Sequence, residues 1–216
     1  MKSHFRSLFT AASTAVALCF IVPFAGDTDN ATDKGKNDTL KGYITGDFHT
    51  HTFLTDGAFP ETTIVNKAIN TYLLGWMANS EHGGAYATDP HGRLWDTISS
   101  KPFIRGDVTM SGGHRAMWRW QSLTEYSFPI INDLRDIYLN QYRKLLQSLE
   151  WNCPSHEHVS VGIMSDEPKS IGNFEYLFDQ GDMDQSRNGE FDISSKSNIT
   201  HADAVSALKW LQDNYS

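Results

Sequence analysis

Residues 42–82 constrain the fold more than any other stretch, because strand-like and helix-like patterns alternate there with polar residues at both strand ends. Gly42 to His51 reads as a first strand ending in "DFHTH". Pro60 suits the opening of a helix, where its missing N–H would find no partner anyway. Ile64, Val65, Ala68, Ile69, Tyr72 and Leu73 then share one helical face, and Gly75 closes the segment. "WMANS" supplies a second short strand that runs into Glu81 and His82. The unit is β–α–β. It predicts a parallel α/β fold with its ligand site at the C-terminal edge of the strands.

The rest of the chain continues in the same style. Residues 83–112 read as a loop rich in Gly, Asp and Pro, too long to be a bare connector. A second helix is predicted over "HRAMWRWQSLTEY" and a third from about Pro129 to Tyr142. "LLQSLEWN" reads as a strand ending in Glu150, and "HVSVGIM" as another, entered through Pro154. After a polar stretch over 165–198, Thr200 and Asp203 begin a final helix with Ala204, Leu208 and Leu211 on its apolar face. The chain has no internal repeat.

At 216 residues the chain suits one domain, or part of a larger one, with a core of its own. The net charge is -8 and no basic run tracks a phosphate backbone, which argues against a nucleic-acid partner. An anionic small molecule remains a suitable substrate if metal ions supply the positive charge. Residues 1–25 have the layout of a secretory signal: Lys2 and Arg6, then an apolar run from Leu8 to Ala25. Export to a periplasmic or extracellular space is expected, with a membrane involved only if this segment stays as an anchor. A lipid anchor through Cys19 is disfavoured by the bulky Leu18 before it. Residues 26–41 read as a polar linker. Without the signal, Cys153 stands alone, forms no intrachain disulfide, and is read as a packed residue rather than a nucleophile.

The chemistry lies in the histidines and carboxylates at the strand ends. His49 and His51, two apart on a strand, project to the same side and converge on one ion. Asp56, His82, Glu150, His156 and His158 are further candidates. A carboxylate suits the bridging position between two divalent cations, and a mixed His/carboxylate set admits Zn, Mn or Fe. Paired cations activate water and stabilise a phosphoryl transition state. By itself a His-x-His pair is equally well a polar surface pair; its company along the chain gives it weight.

"GDFHTHTFLTDG", "ANSEHGG" and "LEWNCPSHEHVSVGI" resemble successive motifs of the PHP family, named for polymerase and histidinol phosphatase, and in particular its secreted members. The resemblance covers roughly residues 42–216. It implies a distorted (β/α)7 TIM-like barrel with two or three divalent metal ions at the strand ends, and phosphoester hydrolysis as the usual activity. By position, it implies metal ligation by His49, His51, Asp56, His82, Glu150 and His158, with Glu150 bridging and with Glu150 and His82 central to catalysis. Glu81 stands where the family usually has Asp and is read as orienting rather than ligating. His156 is offset by two and falls outside the ligand set. The family's late Asp-x-His pair has no counterpart before Ser216, so the resemblance implies the N-terminal part of a barrel, incomplete at its C-terminal end. His201 begins a helix and is not counted as a ligand.

Two functions follow as expectations: a metal-dependent phosphoesterase acting on a small anionic ester, or a PHP-like metal-binding protein without catalysis. A different hydrolytic reaction at the same metals is a third, since fold alone does not fix substrate. Arg115 and Arg119, four apart among Trp118 and Trp120, could grip a phosphate. The competing reading is aromatic packing with solvated guanidinium groups. "DQSRNGEFDISS" from Asp184 mimics a calcium loop, except that Ser195 stands where the twelfth-position carboxylate belongs.

Overall fold

The computed structural model describes residues 44–106, 108–109, 112–138 and 143–215. The expected signal at 1–25 and the linker at 26–41 lie outside the described residues. The fold is mixed α/β, built on a curled four-stranded sheet. Its strands are β1 (Gly46–Asp47), β2 (Trp76–His82), β5 (Lys144–Asn152) and β6 (His158–Ile163), in the order β1-β2-β5-β6. β1, β2 and β5 are parallel, while β6 runs antiparallel to β5. A small ladder pairs β3 (Ala85–Tyr86) with β4 (Met117–Trp118). Among the described residues no helix is long and apolar enough to cross a membrane.

Strand alternation sorts the sheet into two chemically distinct faces. On one, Met77 and Leu145 meet Val65, Ala68, Ile69, Ile131, Leu134 and Tyr138 in a core against helices α1 (Glu61–Asn66) and α3 (Phe128–Tyr138). Further along the same face, Leu149 and Trp151 join Trp120 of helix α2 (Arg119–Ser122), the Leu123 that follows it, and Phe174 and Phe178 of helix α4 (Ser170–Phe178). The opposite face carries Ala78, Ser80 and His82 beside Ser148 and Glu150, with Ser160 and Gly162 beyond. Ser80 and Ser148 bond to each other at 2.9 Å, and Phe48 covers Gly162, where a Cβ would lie 3.2 Å from its ring. Small residues thus fill the buried middle of this face, and the ionisable ones stand at its edge.

Four local expectations change, the first being that the stretch 165–198, read as polar, holds the buried helix α4. The first strand shrinks to Gly46–Asp47, so His49 and His51 lie on the loop that follows. That loop still runs along β2, with Ser80 N–H donating to Thr50 O and Ser80 Oγ to Phe48 O. The helix expected from His114 begins only at Arg119. Met117 and Trp118 are extended because they pair with Tyr86 and Ala85, and Arg119 N–H donates to Gly84 O. Glu150 sits inside β5 rather than at its end, because the strand continues to Asn152 by pairing with His158. The helix expected from Thr200 is present as α5 (His201–Tyr215), with Ala204 and Ala207 buried.

Candidate metal centre

The C-terminal edge of the parallel strands gathers His49, His51, Asp56, His82, Glu150 and His158. β2 delivers His82 and β5 delivers Glu150, directly opposite each other in register. Because β6 is antiparallel, its first residue, His158, returns to this same edge opposite Asn152. The loop after β1 brings in His49 and His51 and folds back through Phe53 N–H to Phe59 O. Gly57 makes that return possible, since a Cβ there would lie 2.2 Å from His51 O.

Glu150 is the hub. Its Oε2 lies 2.8 Å from His82 Nδ1, 3.0 Å from His51 Nε2 and 3.7 Å from His49 Nε2. Its Oε1 lies 3.0 Å from His158 Nδ1. Yet the buried Oε2 takes no hydrogen bond from any of them. His49 and His51 bring their Nε2 atoms to 3.0 Å of each other. Two ligands of one ion, each at about 2.0–2.1 Å, stand about 3 Å apart, so these spacings match shared coordination. Three triads have ligand atoms within 4.8 Å of one another: His49–His51–Glu150, His51–Asp56–His82 and His82–Glu150–His158.

Neighbours fix the rings. Asp56 Oδ1 accepts from His51 Nδ1 at 2.7 Å, leaving Nε2 as the ligand atom facing Glu150. Ser160 Oγ lies 2.7 Å from His49 Nδ1 and does the same for that ring. Burial works to raise the Asp56 carboxyl, but the hydrogen bond and charge of His51, with the charge of His82, hold it below its ordinary value. Burial, aided by His51 and His158, outweighs the carboxylates of Glu150 and Asp56 and holds the His82 imidazole low, which favours the neutral, ligating form. The ring of Tyr86 stacks on His82 at 6.3 Å.

Other candidates lie elsewhere. Glu81 is fully buried and accepts from Thr52 N–H at 3.0 Å and from the Thr55 hydroxyl, so it anchors the loop that carries His51. Phosphate binding by Arg119 is not compatible with its position. It is fully buried, and its guanidinium donates to His82 O, Leu54 O and Ser122 Oγ. It is therefore neither a phosphate grip nor a solvated group, but a brace behind His82. Arg115 sits on a separate loop, bridged to Thr109 and bonded through its N–H to Asp96. His156 faces His201, with Nε2 and Nδ1 2.7 Å apart. In the calcium-like segment, Asp184 accepts from Trp120 Nε1 and the Ser186 hydroxyl. The buried Lys196 ammonium lies 2.8 Å from Asp182 Oδ1 and supplies the local positive charge itself. Cys153 is buried and its thiol is pushed up to about 11, which suits a packed residue and not a nucleophile.

Sequence reasoning missed Ser160 and the carboxylates behind the site. Ser160 was readable, because alternation puts it on the His158 side of β6. Asp179 was not. It accepts from Asn152 N–H, Asn152 Nδ2 and Gly181 N–H, and packs against Gly83, where a Cβ would lie 1.9 Å from Oδ2. Only the folded chain brings it behind His82 and Glu150.

No protein-family model, curated protein or solved structure matches this chain.

Proposed function

We propose that this chain is a metal-dependent hydrolase of phosphoesters built on a PHP-type barrel fold and exported through its first 25 residues. The observation that carries the reading is the Glu150 carboxylate. It is buried, reached by histidine nitrogens on both oxygens, and hydrogen-bonded through only one of them. A carboxylate so placed would be able to hold divalent cations together with His49, His51, His82 and His158.

Two or three divalent ions, Mn, Zn or Fe, would be held by His49, His51, Asp56, His82, Glu150 and His158. Bound there, such ions supply water activation and neutralise charge on a phosphoryl group. The chain's own residues do the positioning. Asp56 and Ser160 set the ring orientations of His51 and His49, and Arg119 holds the His82 carbonyl from behind. The exposed His49, Asp56 and His158 leave the outer side of the cluster open to a substrate. The parallel order of β1, β2 and β5 supports a (β/α)7 barrel, while the antiparallel β6 departs from its simple alternation.

The test is metal content by mass spectrometry together with turnover on a panel of phosphate monoesters and diesters. Two or more equivalents of metal, with turnover lost in His49→Ala, support the hydrolase. Stoichiometric metal without turnover of any ester would replace it with a metal-binding protein. Protein that takes up no metal sinks both.

A further inference from the structure

A shallow cleft of about 240 Å3, largely open to solvent, lies beside the cluster, lined by Asn152, His156, His158, Gln180 and Gly181. His158 belongs to both: its Nδ1 lies 3.0 Å from Glu150 Oε1, and its ring forms part of the cleft wall. A ligand held there therefore touches the metal-side carboxylate through one imidazole. The cleft is smaller than the roughly 300–1,000 Å3 of pockets that take drug-sized molecules.

Its chemistry is neutral and hydrogen-bonding. Asn152 commits its Nδ2 to Asp179, which leaves its carbonyl oxygen as an acceptor. Gln180 accepts from Ser155 N–H through Oε1, which leaves the amide Nε2 as a donor. His156 is oriented by His201 through the 2.7 Å contact between ring nitrogens. Among the described residues neither lysine nor arginine lines the cleft, so a second phosphate or a carboxylate would meet no counter-charge from them. Among the described residues neither Trp, Tyr nor Phe lines it, so a nucleobase would find no broad stacking surface there. Hydroxyl groups, each both donor and acceptor, match the mixed wall of amides and imidazoles.

We propose that this cleft holds the alcohol portion of the substrate, and that this alcohol is a small polyol of about sugar size, with Gln180 and His156 as specificity-determining residues. The proposal rests on the hydrolase reading of the adjacent centre. It assigns the site a class of ester, a polyol monophosphate, in preference to nucleotides and aryl phosphates.

Binding to non-hydrolysable phosphonates separates the two claims. Metal-loaded protein is titrated in a calorimeter with the phosphonate isostere of ribose 5-phosphate, with benzylphosphonate and with methylphosphonate. The sugar phosphonate should bind at least tenfold tighter than the other two, and Gln180→Ala and His156→Ala should each cut that preference severalfold. Both side chains are exposed, and a far-UV spectrum checks that each variant folds. Equal affinity for the three compounds, or a preference undiminished in both variants, overturns the polyol assignment. Turnover of the corresponding phosphate esters is scored apart: none at all overturns the hydrolase, while the phosphonate ranking still decides the occupant of the cleft.

Discussion

Asp56 Oδ1 stands 2.7 Å from His51 Nδ1, while its Oδ2 stands 3.4 Å from His82 Nε2, so one exposed carboxylate touches two histidines of the cluster. With Asp56 ionised, Nδ1 of His51 carries the proton and Nε2 is free to bind. Asp56→Asn keeps the shape and removes the charge. Metal affinity should fall about 10–100-fold, as is usual when a ligand histidine loses its carboxylate partner. Competition against a chelating indicator measures it, and an unchanged affinity would show that Asp56 has no part in the site.

Glu150→Gln asks whether the hub joins two ions. A carboxamide offers one oxygen acceptor, and its NH2 would face the histidine nitrogens on the other side. The expected outcome is loss of at least one metal equivalent, with the fold kept, read by metal analysis and circular dichroism. Full metal content in the variant would remove Glu150 from the bridging position.

Arg119→Met tests the brace. The variant leaves the carbonyls of His82 and Leu54 without their donor and removes the positive charge near the buried Glu81 and Glu175. Leaving a buried acceptor without its charged donor in this way costs about 1–3 kcal/mol or more. The urea midpoint of metal-free protein should drop accordingly. Arg119→Lys should recover little, because a single ammonium lacks the forked geometry that reaches three acceptors.

Asp179 sets a pH dependence of stability. Burial pushes its carboxyl up to about 7, and burial pushes Asp182 up to about 6, from ordinary values of 3.8. Between about pH 4 and 7 the native state therefore holds protons that the unfolded chain has released. Stability falls as pH rises through that window and levels off above it. His82, held low, acts in the opposite sense below pH 6.5, so the useful quantity is a difference between proteins. The gap in unfolding free energy between wild type and Asp179→Asn should narrow, by on the order of 1 kcal/mol, from pH 5 to pH 7.5. A gap constant with pH would mean that Asp179 ionises normally.

The site's members were legible in the sequence where chemistry and strand period coincide. His82, Glu150 and His158 each sit on a pattern of β-forming residues, and register alone brings the first two together. His49 and His51 were found for a reason that the fold does not use: they converge from a loop shaped by Gly57 and Glu81, not from strand alternation. The start of α2 was misplaced because helical spacing over 114–118 is overridden by pairing with Tyr86 and Ala85. Nothing local marks Arg119 as buried, since its acceptors are backbone carbonyls at residues 54 and 82. Partners of that kind exist only once the sheet has formed.

The antiparallel turn between β5 and β6 gives the cluster a built-in order of assembly. Glu150 and His158 are only eight residues apart, so a hairpin brings them together through a short loop. The Ser80–Ser148 contact spans 68 residues and the His49–Ser160 contact 111, and both wait on the closure of long segments. Two of the six residues therefore meet at the pace of a hairpin, and the others at that of the slower parallel pairing. An ion taken up by the proposed centre would meet Glu150 and His158 as a two-residue foothold before the more distant histidines close over it.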